Sequence, residues 1–392
     1  MTDKVQNFDF SHPKMKRSLR TWNWAFVFIY DLIFGFTARS KNQSNQILKK
    51  FNSNTSIAKR FLSIHNANIR KMLSDNKDHT YTKALEIPSI SANDFNSFDF
   101  PKWKSKINQP LVIKNYLGDA PILERTSSER LISDHGEKEI LCIQPDNVTG
   151  AKAESNLGQN IESKTTTLKD FLTSPEYENY YINNFYGLFD NEDFLKYGKG
   201  KELEELIGKP NVLSQWFVAR RNNTGSTLHC APPDNMFLNV KGRKEWYFIH
   251  PSYTPIMEPS MTKYGVYCIS DLEESFEGDF YENLVKKYPH MKHVPVYKTV
   301  LEEGDMLFNP PWWWHRVCNL SPQTIGIAVR FESPLKAWTN GRTLFTGMIV
   351  EFFKHPKKSP VYLTIKSLKN KNYAKRYIDS IFINRDTKLN KA

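Results

Sequence analysis

Gly225-Ser226-Thr227-Leu228-His229-Cys230-Ala231-Pro232-Pro233-Asp234-Asn235 is the stretch on which the rest of the chain turns. A histidine closes an apolar approach, two prolines interrupt it, and an Asp-Asn turn leads into the alternating run Met236 to Val240. Lys241-Gly242-Arg243-Lys244 then reverses the chain ahead of Trp246. Far downstream a second stretch answers the first: Gly304-Asp305-Met306-Leu307-Phe308-Asn309-Pro310-Pro311-Trp312-Trp313-Trp314-His315. One histidine follows each of two β-rich segments. Opposed strands can bring such a pair of imidazoles onto one metal ion, a donor set that suits divalent first-row metals.

Working outward, short apolar runs separated by Pro, Gly and Asn turns continue on both sides. Strands are expected at 110–116, 139–143, 180–185, 212–220, 246–249, 296–300 and 324–331, with a capped short helix near 167–172. Many short strands between turn signals predict a barrel or sandwich. With paired histidine motifs the expectation sharpens: a mainly β, double-stranded β-helix (jelly-roll) core over residues 85–335. Two helical extensions flank it, a basic one over 1–84 and another over 336–392, with a helix at 338–353. Residues 22–36 form an apolar run interrupted by Asn23 and Asp31, shorter than the roughly 20 residues a bilayer span needs. It reads as a helix packed on the core or in a homodimer interface, or as a membrane-surface helix with basic flanks.

The 392 residues carry a net charge of +12, with 40% hydrophobic and 14% aromatic residues, ample for a core. Such a charge fits several acidic partners. Without a dense array of basic and aromatic residues, nucleic acid is the poorer fit. Cys142, Cys230, Cys268 and Cys318 show neither paired metal spacing nor a disulfide framework, which points to a reducing cytoplasmic setting, with peripheral membrane attachment as an option.

In order, the His229 block, Gly242-x-Lys244-x-Trp246, the Gly304-Asp305 turn and Pro311-Trp312-Trp313-Trp314-His315 resemble the JmjC/cupin-like branch of the Fe(II)- and 2-oxoglutarate-dependent oxygenases. The resemblance implies Fe(II) and 2-oxoglutarate as cofactors. His229 and His315 match the two histidine ligands, and Lys244 matches the lysine that pairs with the distal carboxylate of 2-oxoglutarate. Ser226 and Asn235 match further pocket residues, and Tyr181 is a candidate for the pocket's far wall. Arg330 stands where the asparaginyl hydroxylase of this branch has an asparagine. The branch's third iron ligand is the Asp of a His-x-Asp motif, and here that position is Ala231.

Three readings of Ala231 stay open. Water, the cosubstrate or Asp234, bent inward by Pro232-Pro233, completes the metal shell of an enzyme that hydroxylates an unactivated C–H bond. Alternatively the gap admits chloride or bromide, as in the Fe(II)/2-oxoglutarate halogenases, which the His229-Cys230-Ala231 form resembles. Or the chain is a non-catalytic binding or scaffold protein. The substrate class (small molecule, lipid or protein side chain) is not legible.

Overall fold

The computed structural model describes residues 19–34, 79–144 and 163–354, apart from residues 97, 186–187, 189–190, 209–211, 213, 262–264, 266, 271 and 273–274. Of the extension expected over 1–84 only residues 19–34 and 79–84 are among these, and the tail beyond 354 lies outside them.

Two sheets face each other. One has seven strands, in the order β1 (Leu85–Glu86), β13 (Val296–Leu301), β10 (Lys244–Ile249), β15 (Trp314–Asn319), β8 (Gly225–Cys230), β12 (Cys268–Ser270) and β11 (Pro259–Met261). The other has nine: β2 (Ser89–Ser91), β3 (Leu111–Lys114), β14 (Met306–Asn309), β9 (Asp234–Lys241), β16 (Thr324–Phe331), β7 (Ser214–Ala219), β6 (Tyr181–Phe185), β4 (Glu139–Ile143) and β5 (Ser163–Thr167). In the middle of both sheets non-consecutive strands lie side by side, as in a jelly roll. The mainly β core with helical flanks is the architecture that the turn-punctuated apolar runs predict.

Alternation sorts the side chains into three layers. Along β9, Met236, Leu238 and Val240 face a helix-covered outer core, while Phe237 faces the space between the sheets. There it meets Trp246 and Phe248 of β10, Leu307 of β14 and Ala328 of β16. A third cluster covers the outside of the seven-stranded sheet, where Leu228, Cys230, Tyr247 and Trp314 lie under helices. Strands buried on both faces explain why the sequence reads as nearly continuous apolar runs rather than strict alternation.

Local signals set several boundaries. Thr167 caps α2 (Leu168–Thr173), its hydroxyl accepting from the Asp170 amide at 3.0 Å, and Asp279 caps α3 (Phe280–Lys287), its carboxylate accepting from the Glu282 amide at 3.1 Å. The single helix expected over 338–353 is two, α4 (Pro334–Asn340) and α5 (Arg342–Lys354). They break at Gly341, where a Cβ would come within 2.6 Å of the Trp312 ring. The apolar run at 22–36 forms α1 (Leu19–Phe34), which packs on α5 and buries Trp24 and Leu32 in the outer cluster. No helix among the described residues is long and apolar enough to cross a membrane.

Candidate functional site

β8 and β15 are antiparallel neighbours, and their register sets His229 directly opposite His315. The two rings lie with centroids 4.2 Å apart. His229 Nδ1 is 2.7 Å from the Thr227 carbonyl, and His315 Nδ1 is 2.8 Å from that of Trp313. A carbonyl can only accept, so each Nδ1 carries the proton and each Nε2 keeps its lone pair, the tautomer a metal ligand needs. Burial holds His229 down to about 4, helped by the nearby positive charge of Arg330. His315 is held well below the ordinary histidine range by burial, with His229 and Arg330 adding to the effect. Both imidazoles therefore stay neutral at physiological pH. Trp246 stacks on His315 at 5.7 Å, and Tyr267 meets His229 edge-on at 6.1 Å.

Ser226 precedes His229 by an odd number of residues, which in a regular strand would turn it to the other face. The ladder resolves this with a bulge. His229 pairs with His315 and Ser226 with Val317, so three steps on β8 oppose two on β15. His315 and Val317 share one face, and hence so do His229 and Ser226. Cys230 lies on the opposite face beside Cys268, its thiol pushed well up by burial, which removes it as a ligand.

Lys244 enters the same chamber from β10 and is 1% exposed. Its Nζ donates to Asn319 Oδ1 at 2.5 Å and to Thr324 Oγ1 at 2.9 Å. Burial pushes its ammonium down to about 7. Asn319 sits four residues beyond His315 on β15, roughly 13 Å along the strand, so the lysine and the imidazoles lie at opposite ends of one row of side chains facing the space between the sheets. Tyr181 pairs with Ala219 and Ala219 with Thr324, which brings the tyrosine into the row that ends at the lysine.

At the other end a polar row crosses the nine-stranded sheet. Asn235 of β9 pairs with Asn309 of β14 on one side and Arg330 of β16 on the other. Arg330 donates to Gln215 Oε1 and lies over the Phe217 ring. Asn235 Oδ1, Asn309 Oδ1, Thr227 Oγ1 and Trp246 Nε1 are buried with no hydrogen-bond partner. Four orphaned polar atoms around the histidine pair suit a ligand with donors and acceptors of its own.

Ala231 lies just past β8, and its carbonyl accepts from the Trp312 amide at 2.8 Å. Asp234, considered as an inward-bent ligand, points the other way. Rather than sitting in a turn, it opens β9 opposite Phe331, whose side chain belongs to the outer core. There its fully buried carboxylate pairs with Lys104 Nζ at 2.8 Å, and that ammonium also covers the Phe331 ring. No group of three or more His, Cys, Asp or Glu side chains that could hold a metal occurs among the described residues. The donor set thus fits a metal with two imidazoles, and not one with a protein carboxylate. Lys244, bracketed by two hydroxyl- and amide-bearing side chains in a dry pocket, fits one end of a dicarboxylate.

Sequence reasoning missed Asn319, Thr324, Gln215 and Tyr267. Asn319 had a signal, since it follows His315 by two strand periods on the same face. Gln215 had none.

The cupin-like domain family matches residues 97–336. The bovine HSPB1-associated protein 1 is 23% identical over 262 residues, covering 62% of this chain and 52% of that protein. The chain therefore spans about half the length of this relative. Two Arabidopsis thaliana proteins are also similar. Lysine-specific demethylase JMJ30 is 26% identical over 129 residues, 32% of this chain and 26% of that protein. Arginine-specific demethylase JMJ22 is 25% identical over 136 residues, 34% and 26% respectively. With the family match spanning more than half of the sequence and enclosing every residue of the histidine–lysine chamber, the chain belongs to the cupin-like, JmjC-type domain family.

Proposed function

We propose that this chain is an Fe(II)- and 2-oxoglutarate-dependent oxygenase acting on an unactivated C–H bond, with the metal held by His229 and His315 and no protein carboxylate. The observation that carries the reading is the opposed pair itself: two neutral imidazoles with Nδ1 tied to carbonyls, at one end of a pocket closed by a buried lysine. Iron and 2-oxoglutarate, when bound, would allow dioxygen to oxidise a C–H bond, with 2-oxoglutarate oxidised to succinate and carbon dioxide as the co-substrate. The protein's part is binding and exclusion of water. Lys244 offers its ammonium to the distal carboxylate, with Ser226 and Thr324 hydroxyls nearby and Tyr181 at the wall. Phe217, Phe237 and Trp246 keep the space between dry, which strengthens each charge interaction inside it.

A second reading, halogenation, is favoured by one specific feature. Ala231 removes a negative charge, Asp234 is committed to Lys104, and Arg330 adds a positive one at the mouth. Such a site is best balanced by an anion, and chloride or bromide is small enough to lie beside a methyl group. The substrate is a proposal at the level of class only, and small molecule, lipid and protein side chain all suit the mouth.

Uncoupled conversion of 2-oxoglutarate to succinate under air, with iron supplied, tests the proposal. Turnover should be seen in the wild type and be lost in His229→Ala and His315→Ala. A protein that binds iron and 2-oxoglutarate yet never forms succinate, with or without halide, would instead support a binding or scaffold role.

A further inference from the structure

The charge of this protein is unevenly placed. Residues 354–392 hold eleven Lys and Arg against two Asp, nine of the twelve net positive charges. Residues 1–34 hold five Lys and Arg against three Asp, four of the basic residues falling between Lys14 and Arg20. The body between these two segments is close to neutral. α1 ends the first segment in sequence, α5 leads into the second, and the two helices pack on each other. Gly347 of α5 admits Phe28 and Leu32 of α1 in close contact. Lys354 Nζ donates to the Leu32 carbonyl at 3.1 Å and pairs with Glu351 at 2.7 Å.

The same helix pair is apolar on its outside. α1 turns Trp24 and Leu32 inward but leaves Trp22 65%, Phe26 62% and Ile33 40% exposed. Trp22, Phe26 and Ile33 are spaced by four and seven residues, one stripe of the helix. At the end where Lys354 meets Leu32, Phe353 is 75% exposed. A Trp- and Phe-bearing stripe on a helix too short to span, in a helix pair whose flanking sequence carries most of the net positive charge, is what an anionic bilayer surface attracts and holds.

We infer that the α1–α5 face docks the protein on an anionic lipid surface, its exposed aromatic side chains entering the interface while the net positive charge of the flanking sequence supplies the electrostatic attraction. This inference is independent of the chemistry proposed for the histidine pocket. A protein partner would supply acidic side chains and a shaped apolar groove for the stripe. A bilayer asks only for the two features present, protruding aromatic side chains and adjacent positive charge.

Sedimentation of the full chain with vesicles tests this. It should bind vesicles of phosphatidylcholine mixed with phosphatidylserine, and bind pure phosphatidylcholine at least about tenfold more weakly. Raising the salt from about 0.1 M to about 1 M should release most of the bound protein, since the screening length shrinks from about 10 Å to about 3 Å. Trp22→Ser with Phe353→Ser should weaken binding about tenfold or more without lowering the unfolding temperature, because both side chains are already exposed. Replacing Lys357, Lys358, Lys366, Lys369 and Lys371 with Gln should do the same. Equal binding to neutral and anionic vesicles would overturn the inference. So would binding of single-stranded RNA in place of vesicles, or a homodimer that Trp22→Ser dissociates while vesicles are ignored.

Discussion

Lys244 is the residue at which structure and proposed chemistry are most easily separated. Its ammonium lies in a dry pocket, and burial alone lowers it from the ordinary 10.5 to about 7. Between those values the unfolded chain binds a proton that the folded chain does not. Lys244 therefore costs stability at pH 7 and below, and the cost fades as pH rises towards 10.5. Lys244→Met keeps the packing and removes the charge, and Asn319 Oδ1 still accepts from Thr324 Oγ1 at 2.9 Å. The variant should be at least as stable as the wild type at pH 7, with the difference shrinking at alkaline pH, as followed by thermal unfolding. It should also bind 2-oxoglutarate about 1.5–3 kcal/mol more weakly with metal affinity nearly unchanged. Unaltered 2-oxoglutarate affinity would remove the role assigned to the lysine. In the wild type that affinity should fall as pH rises above about 7, because the bound anion needs the protonated ammonium. Ala231 allows a complementary test. Ala231→Asp restores a tethered carboxylate beside the histidines, so any halide effect on the spectrum of the iron–2-oxoglutarate complex should disappear and a halogenated product should give way to a hydroxylated one. A halide effect that survives in Ala231→Asp would mean the anion binds elsewhere.

At the scale of elements, the histidine pair depends on how β8 lies against β15. Gly225 begins β8, and a Cβ there would meet the Val317 carbonyl oxygen at 2.1 Å. Backbone cannot yield as a flexible side chain does, so Gly225→Ala should cost about 2 kcal/mol or more in denaturant unfolding and weaken metal binding as the strands part. A neutral result would mean that the bulged register tolerates displacement. The strands themselves were legible, because short apolar runs such as Met236 to Val240 lie between Pro and Gly turns. The bulge was not: one extra residue changes no composition, and only the ladder shows that Ser226 joins the His229 face. Asp234 was misplaced for a related reason. Its direction follows from its pairing with Phe331 and from the distant Lys104, neither of which is local in sequence. The break at Gly341 likewise answers to Trp312, nearly thirty residues away.

For the whole molecule, the paired histidine motifs and turn-punctuated runs were enough to expect a two-sheet β core with the histidines on facing strands, and the family match over residues 97–336 agrees with that architecture. What the apolar run at 22–36 would pack against could not be read, because α1 meets α5 across more than three hundred residues. Nor could the partners of Arg330 and Lys244, since Gln215 reaches Arg330 from a neighbouring strand 115 residues away in sequence and Thr324 reaches Lys244 from the opposite sheet. The central claim is that two imidazoles, without a carboxylate, hold one divalent metal. Anaerobic calorimetric titration with Mn(II), in the presence of 2-oxoglutarate, measures it directly. The account predicts one site per chain in the wild type, lost in His229→Ala and in His315→Ala while both variants remain folded. Metal binding that persists undiminished in both variants would contradict it.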